Sequence, residues 1–350
     1  MKVQKETFLH ALESVSPGLS PREIIEQSNC FAFRKGKVMT FNDELTCCGP
    51  SLLDDSFAGA VKAAKLLDLL RKIPEEEIEV SQADGEMIVA GKTGTNYFAM
   101  EVEVSLPIDQ VDVPEKWKPL DPDFGEAVKM VADCASHDQS AFALTCVHVH
   151  PKWVEAFDGF QTCRWKLATG LEKPNLVRAA SIRHVSALGM AELSETKSWL
   201  HFRNAGGLVL SVRKYVEEYP EDIGGFLKGD KGTPVQLPKQ LADETGISSI
   251  FSMENAEENY LVVEMKAGKI RVKGIGVTGR RISRGKKVTW TGPDMMFHIK
   301  PDLLASIVKD HSECFMTETR LLVSGGNWRY AAALGKPGKG KEETNGEGEE

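Results

Sequence analysis

Three residues that could bind a metal ion alternate along one short stretch of the chain. Cys146, His148 and His150 stand two positions apart, so on a β-strand their side chains would share one face. Thiolate and imidazole groups bind zinc, although structural zinc sites usually take four ligands from clustered loops. Two interpretations stay open: a zinc-dependent enzyme that uses Cys146, His148 and His150, or the half-buried face of an ordinary strand.

Two glycine-containing stretches resemble nucleotide-binding motifs but lack the surroundings that those motifs need. Residues 274–279 have the spacing GxGxxG, which binds a dinucleotide only between a strand and a helix. The basic residues 280–287 that follow are predicted to form a loop, so residues 274–279 are interpreted as a strand and turn. Gly91, Lys92 and Thr93 resemble the end of a phosphate-binding loop, but Glu86 stands where its first glycine is required. No glycine pattern frames a serine nucleophile. Apart from the zinc hypothesis, we predict no catalytic residue, cofactor or metal.

Two sequence patterns recur at intervals of about a third of the chain. Residues 38–47, VMTFNDELTC, share their valine, phenylalanine, threonine and cysteine with residues 154–163, VEAFDGFQTC. Residues 270–272 begin a weaker third copy. A second pattern starts independently at residues 61, 182 and 299. The spacing predicts three tandem domains of roughly 115 residues, a usual size for one domain.

Each repeat is predicted to contain a helix, strands, a second helix and two more strands. In the first helix, Phe8, Leu9, Leu12 and Val15 share one face, as in an amphipathic helix. The predicted helices are residues 6–15, 60–72, 124–135, 181–193, 238–245 and 301–310. The main predicted strands are residues 30–34, 37–41, 77–82, 87–90, 97–104, 199–203, 207–212, 260–265, 320–324 and 328–333.

Domain boundaries are predicted from Pro-rich and acidic linkers between the repeats. We predict domains at residues 1–119, 120–228 and 229–335. Residues 336–350 contain nothing apolar to bury and are predicted to be a disordered charged tail.

The composition predicts a protein without a membrane segment. Hydrophobic residues make up 41% of the chain and charged residues 27%. No apolar run approaches the roughly 18 residues of a membrane span, and the N-terminus lacks the apolar stretch of a signal peptide. The seven cysteines lie within predicted strands and helices. They are therefore interpreted as reduced thiols in a cytoplasmic protein.

The net charge of −8 conceals a segregation of charge along the chain. Basic residues lie on or beside the six predicted helices, whereas the acidic excess lies in linkers, strands and the tail. Helix surfaces commonly carry lysine, which is the simpler interpretation. Alternatively, equivalent helices present their cations to one polyanion. Contacts with phosphate groups of this kind need no sequence recognition and weaken with salt.

Four motifs resemble those of one protein family. Val154-Glu155-Ala156-Phe157-Asp158-Gly159 is similar to the Val-x-Ala-Thr-Asp-Gly strand and turn of the bacterial-type DNA sliding clamp, the beta subunit of the replicative polymerase. Residues 216–221, 297–304 and 330–334 resemble that family's end of domain two, a strand that leads into a helix, and the terminal strand. The resemblance covers about residues 1–334. Two departures are Phe160-Gln161-Thr162 in place of His-Arg-Leu and the charged tail. They indicate a divergent member, with a viral origin as one option.

The resemblance implies an α+β fold of three clamp domains, each built from two helix-plus-strands halves, that forms half of a six-domain ring. Such a ring is a processivity factor and not an enzyme. It encircles double-stranded DNA without sequence preference and tethers the DNA polymerase. Implied partners are the duplex, the polymerase and the clamp loader through short peptide motifs, and a second copy in a homodimer, with no membrane. Implied locations are the bacterial cytoplasm or nucleoid, or the cytoplasm of an infected host. A ring of this fold that recruits transcription or repair factors is the alternative.

The resemblance also assigns residues to three surfaces. The residues implied in DNA contact are Arg22, Lys62, Lys65, Lys129, His137, Gln139, Arg178, Arg183 and Lys300. The implied groove for client peptides, between domains two and three, contains Leu144, Phe157, Gly159, Phe160, Leu241, Ala332 and Leu334. The implied homodimer interface contains Tyr97, Phe98, Met100, Val102, Ile250 and Phe251.

Overall fold

The chain folds into two compact units of mixed helix and strand. The computed structural model describes residues 1–220, 223–228, 232–252, 260–311 and 313–335, so the predicted tail lies outside the described residues. The first unit comprises Met1–Asp158 and Trp165–Tyr219, and the second comprises Gly159–Arg164 and the chain from Pro220 onward. The predicted α+β class is confirmed, whereas the division into three domains stays a prediction. In the described part of the chain, no helix is long and apolar enough to cross a membrane.

The first unit contains most of the first two repeats. The elements of the first repeat are β1 (Lys2–Gln4), α1 (Lys5–Val15), β2 (Cys30–Arg34), β3 (Lys37–Phe41), β4 (Leu45–Pro50), β5 (Gly59–Lys62), α2 (Ala63–Lys72), β6 (Glu77–Ala83), β7 (Glu86–Ala90) and β8 (Thr95–Glu101). Those of the second repeat are β9 (Lys118–Pro119), α3 (Phe124–Ala132), β10 (Cys146–His150), β11 (Trp153–Phe157), β12 (Gln161–Lys166), β13 (Asn175–Arg178), α4 (Ala179–Ile182), α5 (His184–Ala187), β14 (Glu192–Glu195), β15 (Trp199–Arg203) and β16 (Val209–Tyr215). Residues of β12 up to Arg164 belong to the second unit.

The helices of the first unit pack in pairs against the sheet because each has one apolar face. Helix α1 buries the four predicted residues, from Phe8 to Val15, and packs against α2. Helix α2 buries Leu66, Leu67 and Leu70. In the second repeat, α3 packs against α4 and α5. Full burial of one such leucine stabilises the fold by about 1.5–3 kcal/mol. The apolar faces of the paired helices therefore contribute to the stability of the core.

Antiparallel pairing joins the two repeats of the first unit into one hydrogen-bonded ladder. Strand β4 pairs with β16, with Leu45 opposite Val212 and Cys48 opposite Val209. The ladder runs β1–β6–β7–β8–β5–β2–β3–β4–β16, where β16 continues to β15, β14 and β9. The fourth strand of repeat one therefore meets the last strand of repeat two.

The second unit repeats this design with the third repeat. Its further elements are α6 (Ile223–Leu227), β17 (Thr233–Gln236), α7 (Leu241–Ser252), β18 (Leu261–Lys266), β19 (Lys269–Ile275), β20 (Arg280–Ile282), β21 (Lys286–Lys287), β22 (Met295–Ile299), α8 (Pro301–Asp310), β23 (Glu313–Met316), β24 (Arg320–Ser324) and β25 (Trp328–Ala333). One sheet has the order β20–β19–β18–β22, with β21 also paired to β19. The other runs β17–β23–β24–β25, and β25 pairs with β12. Helix α7 packs against α8 and β19.

Several predicted boundaries are wrong, and each error has a local cause. The helix predicted at 181–193 consists of α4 and α5, which ends where Gly189 adopts a φ of 60° and Met190 N–H donates to the Val185 carbonyl. Strand β14 follows it. Residues 59–62 form β5, rather than the start of a helix, because they pair with β2. Helix α7 begins three residues later than predicted and extends to Ser252. The predicted loop 280–287 contains β20 and β21.

The GxGxxG motif lies at the end of strand β19 and in the turn that leads to β20, as its interpretation as strand and turn predicted. Gly274 lies where β19 crosses α7, and a β-carbon at this position would collide with the backbone carbonyl of Ser248. The first glycine of the motif therefore permits close packing of a helix on a strand. By contrast, a β-carbon added at Gly246, in α7, would meet only open space.

We expect Gly274→Ala to lower the free energy of unfolding by about 1–3 kcal/mol, because the helix must move away from the strand. Gly246→Ala is the matched control and should raise it by up to about 1 kcal/mol, since alanine favours helix. Urea denaturation followed by circular dichroism measures both. Equal stability of the two variants would contradict the close helix–strand contact.

Candidate functional site

The basic residues of the first unit fall into exposed and paired groups. Arg22, Lys65 and Lys129 are exposed and make no ion pair with any residue in the described ranges. Lys65 lies on α2 and Lys129 on α3, so a helix of each of the first two repeats presents a cation. A mobile, unpaired ammonium group attracts phosphate without sequence preference.

Other predicted DNA-contact residues already have acidic partners. Lys62, at the start of α2, donates to Glu23 at 2.6 Å and to Asn29 at 3.0 Å. The hydrogen bond that Lys62 donates to Glu23 raises the pKa of the Lys62 ammonium group. The ammonium group therefore stays charged, and the Glu23 carboxylate offsets its charge. Arg183, between α4 and α5, pairs with Asp133 at 3.1 Å. His137 and Gln139 lie in an exposed loop.

Arg178 lies inside the first unit, and its burial removes it from the set of surface cations. Its guanidinium group donates to the Thr145 hydroxyl and, at 2.8 Å, to the Gln139 side chain. It pairs with Glu44 at 3.3 Å and stands 5.0 Å from the centre of the Phe142 ring. Only 8% of the residue is exposed. Because Glu44 belongs to repeat one, Arg178 links the two repeats beside the β4–β16 pairing.

The residues predicted for the peptide groove are divided between the two units. Leu144 and Phe157 belong to the first, and the other five belong to the second. In the second unit, the Ala333 N–H donates to the Phe160 carbonyl at 2.7 Å, which brings Phe160 beside the final strand. Leu241, Ala332 and Leu334 are buried, whereas Gly159 is exposed and Phe160 is half-buried.

Phe160 is the centre of an aromatic and cationic cluster in the second unit. The Lys300 ammonium nitrogen stands 3.9 Å from the centre of the Phe160 ring. The Tyr260 ring centre is 6.4 Å from that of Phe160 and 6.3 Å from that of His298, with which it stacks. Two backbone hydrogen bonds between His298 and Gly335 hold the cluster against the end of the final strand. Lys300, predicted to contact DNA, is thus positioned by a cation–π contact. Sequence reasoning missed Tyr260 and His298, since neither belongs to a repeated pattern.

The residues predicted for the homodimer interface differ widely in exposure. Tyr97 is 61% exposed, Val102 67% and Ile250 65%, which are high values for large apolar side chains. Met100 is buried, where it packs against Gly59, and Phe98 and Phe251 are half-buried. The exposed members lie on or next to β8 in the first unit and on α7 in the second.

The geometry does not favour a zinc site at Cys146, His148 and His150. His148 Nδ1 lies 2.8 Å from a carboxylate oxygen of Glu155, and His150 stacks on Trp153 with ring centres 3.5 Å apart. Burial raises the pKa of the Cys146 thiol to about 11, which opposes the thiolate form that binds metal. Among the residues with described positions, no three His, Cys, Asp or Glu side chains are grouped to hold a metal ion.

Comparison with known proteins relates the fold to one family of structures. The sequence matches no family model, and no curated protein matches it either. The fold is similar to the DnaN sliding clamp of Pseudomonas aeruginosa bound to griselimycin, with a TM-score of 0.78 and 12% identity over 96% of this chain and 99% of that one. The DNA polymerase III beta subunit of Thermotoga maritima matches with a TM-score of 0.78 and 14% identity. The DNA polymerase III beta chain of Streptococcus pneumoniae matches with a TM-score of 0.75 and 15% identity. Each match covers 96% of this chain and 99% of the other.

The chain has the sliding-clamp fold. The resemblance seen in four short motifs is therefore confirmed at the level of the fold, although few identical residues support it. Nearly the full length of each of these clamps is matched.

Arg178 and Arg183 provide a direct test of which arginine is structural. We expect Arg178→Ala to lower the free energy of unfolding by about 1.5–3 kcal/mol, because it breaks charged hydrogen bonds in a buried site. Arg183→Ala removes one exposed ion pair and should change it by less than about 1 kcal/mol. Urea denaturation measures both, and an equal effect of the two substitutions would show that Arg178 is not structurally engaged.

Proposed function

We propose that the protein is a DNA sliding clamp: a ring-shaped processivity factor that encircles duplex DNA and tethers a DNA polymerase. The observation that carries the proposal is the match of the fold to 99% of the length of clamps from Pseudomonas, Thermotoga and Streptococcus. We further propose three clamp domains, at residues 1–119, 120–228 and 229–335, and no enzymatic activity of its own. It would act where DNA is replicated, in the bacterial cytoplasm or nucleoid or in the cytoplasm of an infected host cell.

Exposed cations on repeated helices support the DNA part of the proposal. Arg22, Lys65 and Lys129 are exposed and available to contact phosphate groups. Lys62 and Arg183 add positive charge that acidic partners partly neutralise. Lys300 adds a charge that is positioned over the Phe160 ring. A closed ring stays on DNA by topology, so its contacts with phosphate need only be weak and mobile. This fits a modest number of free cations rather than a dense basic patch.

The DNA contact predicts a specific salt dependence. Reversing Arg22, Lys65 and Lys129 to Glu should weaken duplex binding strongly at low salt. It should also reduce the slope of log affinity against log salt by about 3, since each phosphate contact contributes about 0.9. A fluorescent duplex titrated at several salt concentrations measures this. The matched control reverses three exposed lysines away from the paired helices: Lys152, Lys166 and Lys197. An equal loss in the control would mean that the repeated helices do not form the DNA surface.

The Phe160 cluster supports the proposal that clients bind the second unit. A half-buried aromatic ring beside an exposed glycine turn is a suitable anchor for a short peptide, because interface hot spots are commonly aromatic. Lys300, which lies over the ring, would favour an acidic group in the peptide. We propose polymerase and clamp-loader peptides as the occupants.

Client binding can be tested with one aromatic substitution and a matched control. Phe160→Ala should weaken binding of a fluorescent polymerase-tail peptide by about tenfold or more, as expected for a hot-spot residue. Trp117→Ala is the control, because Trp117 also lies under a cation, with Arg203 at 4.4 Å from its ring centre, but in the first unit. Fluorescence polarisation measures both. Undiminished binding by Phe160→Ala would place the client site elsewhere.

A ring of three-domain chains requires two copies, so we also propose a homodimer. Its interface would include the exposed Tyr97 and Val102 of one copy and Ile250 of the other. A complex near twice 38.5 kDa is expected.

A further inference from the structure

An open pocket in the second unit is lined by three lysines. Its volume is about 710 Å³, within the usual range of ligand sites, and Lys239, Lys269 and Lys287 stand around it. The three side chains are exposed, and among the residues with described positions their ammonium groups have no acidic partner. We call this the cationic pocket.

The acids near the pocket are engaged by other groups. Glu244 pairs with Arg281 at 2.8 Å and with Lys286 at 3.8 Å. The Asp294 carboxylate lies beside the pocket, where it accepts a hydrogen bond from the Ala267 N–H at 3.2 Å. One acid at the rim against three lining lysines leaves the pocket with a net positive charge.

Backbone pairing places two of the lysines directly opposite each other. Lys269, in β19, faces Lys287, in β21, so both side chains project from the same face of the sheet. The Val288 N–H donates to the Gly268 carbonyl at 3.0 Å, which holds the β18–β19 turn against this segment. Like charges directly opposite each other destabilise a sheet. An anion between them would offset that repulsion, so the geometry favours a negatively charged occupant.

The chemistry of the lining favours carboxylates over a nucleotide. Among the described residues that line the pocket, none is aromatic, so a nucleobase has no ring on which to stack. The lining cations are lysines, whose ammonium groups are point charges without the planar fork by which arginine binds phosphate. An acidic peptide therefore suits the cationic pocket better than a nucleotide does.

The chain itself contains such a peptide. Residues 342–350, EETNGEGEE, hold five glutamates and no cation, and we call them the acidic segment. Residues 336–341, KPGKGK, connect the acidic segment to the described part of the chain. Two backbone hydrogen bonds join Gly335 to His298, so the tail leaves the second unit beside the end of β22.

The acidic segment is long enough to reach the cationic pocket. His298 is opposite Val262 in the pairing of β22 with β18, and Ala267, at the pocket, lies five residues further along the chain. At about 3.3 Å per residue, this distance is roughly 17 Å. Glu342 lies seven residues beyond Gly335, and seven extended residues span up to about 23 Å. The first glutamate can therefore reach the pocket, and the rest of the segment remains to bind there.

We propose that the acidic segment of this chain binds in the cationic pocket of the same chain. Its carboxylates would pair with the three lysines and offset the repulsion between Lys269 and Lys287. Because residues 269–287 contain eight cations and no acid, the bound segment would also shield a strongly basic stretch from other polyanions. The segment is tethered, so it competes with free polyanions at a high effective concentration. This contact goes beyond the proposed function and does not depend on it.

Binding of a free peptide tests the contact. The probe is a fluorescent peptide of residues 342–350. The acceptor is the full chain with a neutral tail, in which five glutamates are replaced: Glu342→Gln, Glu343→Gln, Glu347→Gln, Glu349→Gln and Glu350→Gln. The acceptor should bind the peptide, as measured by fluorescence polarisation at low salt. The native chain should bind it about tenfold more weakly, because its own segment competes at an effective concentration in the millimolar range.

Two further variants of the acceptor locate the binding site. The pocket variant adds three substitutions, Lys239→Gln, Lys269→Gln and Lys287→Gln, and should bind the peptide about tenfold more weakly, since it loses three ion pairs. The matched control removes three exposed cations of the second unit that do not line the pocket, and its affinity should change by less than about twofold: Arg284→Gln, Lys309→Gln and Arg329→Gln.

The outcomes separate the proposed occupant from the alternatives. Failure of the acceptor to bind the peptide, or an equal loss in the pocket variant and the matched control, would overturn the proposal. Inorganic phosphate and a short DNA duplex are titrated into the same variants. Binding of either one that depends on the pocket lysines, without such binding of the peptide, would assign the pocket to that ligand instead.

Cross-linking of the native chain tests whether the contact lies within one copy. A carbodiimide joins a carboxylate to a lysine amine as an amide and takes up the water that is lost. Mass spectrometry of a mixture of isotope-labelled and unlabelled chains should find tail glutamates joined to the pocket lysines of the same copy. Links that form only between copies would overturn the intramolecular contact.

Discussion

Backbone pairing between strands far apart in sequence is the interaction on which the rest of this structure depends. A single repeat leaves one open strand edge at its fourth strand and another at its last, and an open edge is a surface that binds further strands. Pairing of β4 with β16 and of β12 with β25 closes two such gaps within the chain. The strand pairing therefore determines which repeat faces which.

Two ion pairs cross the junction between repeats one and two. Arg178 is largely buried and pairs with Glu44, whereas Arg213 and Asp43, 2.7 Å apart, are more exposed. In a buried pair, the cost of removing both charges from water offsets much of their attraction. The net contribution of the Arg178–Glu44 pair to stability is therefore small, although loss of one partner alone would leave an uncompensated charge.

The cluster around Phe160 shows how the strand pairing also brings side chains from remote parts of the chain together. Phe160 follows a glycine turn of repeat two. Its backbone carbonyl nevertheless accepts a hydrogen bond from the N–H of Ala333, in the last strand of repeat three. Because this bond positions the backbone, the ring lies beside Lys300 and Tyr260, which belong to other elements. The bond uses only the backbone, so the side chains here can change without loss of the bond.

Local patterns in the sequence determined the elements, and the tertiary structure determined their use. The buried face of α1, strands β2, β3, β15, β24 and β25, and helix α8 follow from periodicity and flanking residues, because these signals act over a few residues. The resemblance of four short motifs also indicated the sliding-clamp fold. The sequence could not show that Arg178 turns inward, that residues 59–62 pair as a strand, or that Gly274 accommodates α7. Each of these depends on contact with a segment remote in sequence, and only the folded chain brings those segments together.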